Sequence, residues 1–131
     1  MRRLEIDVRP TEYAIVRLDV RDPVPTDLFA EAAGELVSVT RTGAEISLIC
    51  PSALAPEVGT AEHGWRLLSV RGPLEFTLTG IIAAIASELA AAGVALFSLS
   101  TYDTDHVLVR EVDRERAVRA LEESGHEVHT G

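Results

Sequence analysis

From His63 onward the chain alternates strand-like and helix-like runs in an order that few folds accept. Residues 65–70, 94–99 and 106–109 are short, rich in β-branched and apolar side chains, and bounded by Gly, Pro or Asp, as strands are. A helix is expected over residues 80–92, with Thr79 or Thr77 as its cap, Ile81, Ile85 and Leu89 on one stripe, and Gly93 placed to end it. It is apolar almost all round and should be deeply packed. A second helix is expected over residues 114–124, capped by Asp113, stopped by Gly125 and carrying Ala117, Val118 and Leu121 inward. With residues 126–128 as a closing strand, the order is βαββαβ, which predicts an antiparallel sheet with helices on one face.

The first half repeats this order in reduced form. Residues 13–18 match 65–70, and residues 36–40 (Leu-Val-Ser-Val-Thr) match 96–100 (Leu-Phe-Ser-Leu-Ser). Residues 45–50 supply another strand. The helical slots at residues 25–29 and 51–56 are too short and too bounded by proline for more than a turn or two. An internal duplication with one degenerate copy accounts for the pattern. The expected fold class is therefore α+β: two tandem ferredoxin-like βαββαβ units, residues 1–62 with reduced helices and residues 63–131 complete. Residues 57–62 are a short link, so the units should share a continuous core or sheet. Residues 1–9, apolar at alternate positions from Leu4 to Val8, are expected to add an edge strand.

Charge and composition exclude several functions. Of 131 residues, 47% are hydrophobic and 25% charged, which fits a globular chain with a real core. The net charge is −9, and all 12 basic residues are arginines scattered among acids, so a phosphate backbone would be repelled and no nucleic-acid partner is expected. Apolar runs such as residues 80–86 fall far short of the roughly 20 residues that span a bilayer. The first residues lack a hydrophobic signal core. The expectation is a cytoplasmic protein with no membrane partner. Cys50 is the one cysteine, which precludes an intrachain disulfide and reads as a buried thiol in a strand.

Catalytic signatures are missing: no nucleophile elbow, dinucleotide or phosphate loop, or His-Glu-x-x-His is present. No nucleophile and base can be paired from the sequence, so an enzyme is not expected, and neither is a cofactor. His126 and His129 stand three apart without an obvious third ligand and read as a solvated tail, so no metal is expected. His63 and His106 sit at strand starts, and Asp103 and Asp105 flank a turn. Two stretches exceed what folding needs. Residues 72–80 lead into the apolar helix at Thr79, Gly80 and Ile81, where unpaired N–H groups and the positive helix end favour a carboxylate. Residues 98–105 (Ser-Leu-Ser-Thr-Tyr-Asp-Thr-Asp) form a hydroxyl-rich turn bearing an acid that could receive an ammonium group. Together they could hold both ends of an amino acid.

Residues 72–82 (Gly-Pro-Leu-Glu-Phe-Thr-Leu-Thr-Gly-Ile-Ile) and 92–109, with their Ser-Thr-Tyr-Asp-Thr-Asp block, resemble the tandem ACT-domain proteins of the CASTOR type. These are similar in turn to the regulatory domains of aspartate kinases. The resemblance is strong over residues 63–128 and looser over 11–51. It implies ACT-like units pairing side by side, a small-molecule ligand, usually an amino acid, at the interface between units, and a regulatory sensor role. By position it assigns ligand contacts to Thr79, Gly80 and Ile81 at the helix start and to Ser98, Ser100, Thr101 and Asp105 opposite. The family's eukaryotic arginine sensors carry four such units and this chain two, so a homodimer is expected to supply the full arrangement. The alternative is a ligand-free scaffold, an ACT-like dimer that docks a partner.

Overall fold

Strand β1 (Glu5–Leu18) runs unbroken for 14 residues through the stretch that the sequence divides into an edge strand and a second strand. The computed structural model describes residues 3–72 and 80–130. The chain forms two compact units, Met1–Pro10 together with Arg66–Gly131, and Thr11–Trp65. Both long strands, β1 and β4 (Thr60–Val70), contribute residues to each unit.

In the first of these units the strands are the start of β1, the end of β4, β5 (Leu96–Ser100), β6 (Asp105–Arg110) and β7 (Glu127–His129). Their order is β7-β1-β4-β6-β5. β5 and β6 are antiparallel, with Leu96 opposite Val109 and Ser100 opposite Asp105. β1 and β7 are parallel, pairing Glu5 with Glu127, Ile6 with Val128 and Asp7 with His129. The start of β1 is therefore an interior strand and not the edge strand expected from its alternation. It lies between β7 and β4, where the Arg71 N–H donates to the Glu5 carbonyl. Leu4, Ile6 and Val8 are all buried on one face, which is where alternation places them.

The helices cover that face. α2 (Ile81–Ala91) buries Ile81, Ile85 and Leu89, and α3 (Arg114–Glu123) buries Ala117 and Leu121. These five pack with Leu4, Ile6, Val8, Leu68, Val70, Val94, Val107 and Val109 in one core. Each fully buried Ile or Leu contributes roughly 1.5–3 kcal/mol. Gly93 follows α2, and the Val94 N–H closes back on the Leu89 carbonyl at 3.0 Å. Gly80 occupies the position before α2 in a left-handed conformation, φ 78°, with no side-chain cap. The expected caps Thr77 and Thr79 lie outside the described residues. Asp113 does precede α3, but its carboxylate makes no cap bond and instead pairs with Arg116 at 3.5 Å.

The second unit contains β2 (Ser38–Arg41), β3 (Ile46–Pro51), the end of β1 and the start of β4. β3 is antiparallel to both β1 and β2. Its helical content is one four-residue turn, α1 (Leu28–Glu31), and a 3-10 turn over Ser52–Leu54, as the proline-bounded slots predict. Ala14, Val16, Leu18, Leu28, Ile46, Leu48 and Cys50 form its core, and burial raises the pKa of the Cys50 thiol. Where a longer helix is missing, buried Tyr13 fastens the chain. Its hydroxyl donates to Glu35 Oε2 at 2.9 Å and accepts the Leu36 N–H at 3.0 Å, while the Thr11 hydroxyl donates to Glu35 Oε1. Gly59, at φ 80°, lets the chain pass the Arg17 carbonyl, which a β-carbon would meet at 2.3 Å.

Candidate functional site

Alternation along β5 puts Leu96, Ser98 and Ser100 on one face, and Leu96 packs against the core that includes α2. Their partners across the hairpin are Val109, Val107 and Asp105, two of which belong to that core. Ser98, Ser100 and Asp105 therefore share the helix-bearing face of the hairpin. Ser98 and Ser100 are exposed and Asp105 is half-buried. The Ser100 hydroxyl donates to Asp105 Oδ1, so the structure brings these two together.

Thr101 has local work. Its N–H donates to the Thr104 carbonyl at 2.8 Å, and its hydroxyl accepts the Thr104 N–H at 3.4 Å, closing the turn between β5 and β6. The Thr104 hydroxyl donates to the Val70 carbonyl at 2.6 Å, tying this turn to the end of β4. Sequence reading passed over Thr104, although a threonine that ends a hydroxyl-rich turn is a natural anchor. Gly80 and Ile81 stand at the start of α2, Gly80 with no atom of the described residues within 4 Å of where a β-carbon would lie and Ile81 buried in the core. Thr79 lies outside the described residues.

The opposite face of the hairpin holds His106, which pairs with Leu99. Its Nδ1 lies 2.8 Å from the Ser69 hydroxyl on β4. Burial lowers the pKa of the His106 ring, against the pull of neighbouring Asp105 and with a smaller push from Arg9. A neutral imidazole beside a hydroxyl is thus held one strand position from Asp105. The sequence showed His106 but not its serine partner, because that pairing depends on β4 lying next to β6.

His126 and His129 part company. His126 is buried, which corrects its reading as a solvated tail residue. The Leu4 N–H donates to its Nδ1 at 3.1 Å, so its proton resides on Nε2, which donates to Glu88 at 3.0 Å. His129 lies on the other side of β7 beside Glu5, with Nε2 3.3 Å from Glu5 Oε1.

Comparisons place these elements among known proteins. The family described as ACT domain matches residues 60–123. The crystal structure of protein Atu0741 from Agobacterium tumefaciens is 31% identical, covers 100% of this chain and 96% of its own, and superposes with a TM-score of 0.89. The regulatory subunit of aspartate kinase from Thermus thermophilus, in its ligand-free form, has a TM-score of 0.65 over 92% of this chain and 97% of its own. At 15% identity that likeness is one of fold. The human cytosolic arginine sensor for mTORC1 subunit 1 is 46% identical over 48 residues, 36% of this chain. The match spans only 15% of the sensor's length. No described helix is long and apolar enough to cross a membrane.

Proposed function

We propose that this chain, whose residues 60–123 match the ACT-domain family, is a non-catalytic regulatory protein that binds a small-molecule ligand, an amino acid. The carboxylate of the ligand is received at the start of α2, by Thr79, Gly80 and Ile81. Its ammonium or other cationic group is received by Asp105, with Ser98, Ser100 and Thr101 around it. The observation that carries this reading is the shared face of Ser98, Ser100 and Asp105 on the side of the sheet that bears α2. A second copy of the chain completes the site where ACT-like units meet. The ligand then acts by favouring the arrangement whose interface it fills. The arginine sensor's printed name supports an amino acid as ligand class and a cytosolic setting.

A thermal-shift screen of the full chain against the twenty amino acids tests this. A ligand at about 100 times its dissociation constant adds about 2.7 kcal/mol, a rise of roughly 5–15 °C for a chain of this size. A rise with one amino acid is expected in the wild type and not in Asp105→Ala, whose circular dichroism should be unchanged. A variant that responds like the wild type reduces Asp105 to a turn residue, and a flat panel removes the sensor reading.

One feature favours a scaffold as the second reading. β5 is the outermost strand on its side of the sheet order, with Phe97 exposed and Leu96 and Leu99 partly so. Sedimentation with the ligand screen separates the two: a dimer that binds no amino acid favours the scaffold, while a monomer at high concentration that still binds one retires both the scaffold and the need for a second copy.

A further inference from the structure

We propose that Glu5, Glu127 and His129 form a binding site for a divalent transition-metal ion of the zinc class, which joins the first strand of the chain to the last. The parallel register of β1 and β7 sets Glu5 beside Glu127 and Asp7 beside His129. Alternation turns these four away from the face of Ile6, which is buried in the core, and Val128, which packs against it. One ligand atom from each of Glu5, Glu127 and His129 lies within 4.8 Å of the others. His129 Nε2 is 3.3 Å from Glu5 Oε1 and 3.6 Å from Glu127 Oε1.

Those separations fit a small tetrahedral ion. With metal–ligand bonds of about 2.0–2.2 Å, two ligands on a tetrahedron stand about 3.4 Å apart, and water fills the fourth position. One imidazole with two carboxylates is a borderline donor set, suited to zinc or cobalt in preference to calcium or magnesium, which favour oxygen alone. The three side chains are a third to a half exposed, at 33%, 42% and 50%, so an ion can reach them from solvent.

The surrounding arginines orient the carboxylates. Arg3 pairs with Glu127 Oε2, leaving Oε1 toward His129. Arg71 holds Asp7 through both oxygens, at 2.9 and 2.8 Å, and reaches Glu5 Oε1 at 3.1 Å. Arg3 and Arg71, with Arg9 acting on Asp7, offset the three carboxylates, so ion binding rests on the convergence of the three donor atoms. Such outer partners commonly tune affinity by roughly 10–100-fold. The ion would link residues 5 and 127, whose strands are otherwise joined through the three pairs of β7, and so would stabilise the unit that contains both.

Calorimetric titration of the untagged full chain with zinc chloride, paired with the visible spectrum of cobalt(II), tests the site. One saturable zinc site per chain is expected, with the intense d–d bands of four-coordinate cobalt and a higher melting temperature. His129→Ala and Glu127→Gln, each checked for wild-type circular dichroism, should weaken binding by roughly tenfold or more. Two variants guard against one failing to fold. No saturable uptake by the wild type, or unchanged affinity in a folded variant of either residue, overturns the proposal and leaves these groups as a surface ion-pair network.

Discussion

Tyr13 shows how one atom can stand in for a missing element. The first half of the sequence lacks room for a real helix, and the chain over residues 35–36 is held by a phenol that both donates and accepts. Tyr13→Phe keeps the ring in its buried site but leaves the Leu36 N–H and a Glu35 oxygen without this partner. It should destabilise the protein by about 1–3 kcal/mol in urea unfolding. A loss below about 0.5 kcal/mol would mean that water replaces the hydroxyl. At the candidate ligand site, Asp105 was legible because an acid in a hydroxyl-rich turn exceeds what a turn requires. The roles of Thr104 and Ser69 were hidden, since each depends on a partner on another strand, Val70 and His106 respectively.

At the scale of elements, the first strand carries the main departure from expectation. Alternation over residues 4–8 identifies a strand with one apolar face but says nothing about its neighbours. In the structure that strand is interior, and Ile6 is 1% exposed within the core shared by both long helices. Ile6→Ala should therefore cost about 2–5 kcal/mol. Val112→Ala, at a valine 85% exposed, should stay within about 0.5 kcal/mol and serves as its control. Near-equal effects in equilibrium unfolding would return β1 to the status of a dispensable edge. The helices were the most legible elements, because Ile81, Ile85 and Leu89 repeat at the helical period and glycines mark the ends.

For the molecule as a whole, pH acts in two separate windows. The folded pKa of His106 lies below its ordinary value of roughly 6.5. The unfolded chain thus binds that proton more readily than the folded one. The contribution of His106 is complete above about pH 6.5 and is lost as pH falls toward the lower folded value. Asp7 is held below the ordinary carboxylate range, first by its hydrogen bond from Arg71. Its contribution persists above about pH 4 and is lost only in stronger acid. The melting temperature should therefore decline first just below pH 6.5, and His106→Gln should flatten that limb while keeping the acid one. An unchanged upper limb in His106→Gln would show that another group governs it.

By itself the sequence determined most of the local structure: the two long helices, most strand segments, that the first half has almost no helix, which side chains line the α2 stripe, and that the chain is acidic. Each follows from periodicity, proline and glycine placement or charge, which are properties of neighbours along the chain. The tertiary structure decided the rest. It put the first strand inside a sheet beside the last, sent His126 into the core and His129 to the far face, and paired Ser69 with His106. Those outcomes depend on which strands hydrogen-bond across 37 to 122 residues of chain, and a pairing register leaves no periodic mark on either strand alone.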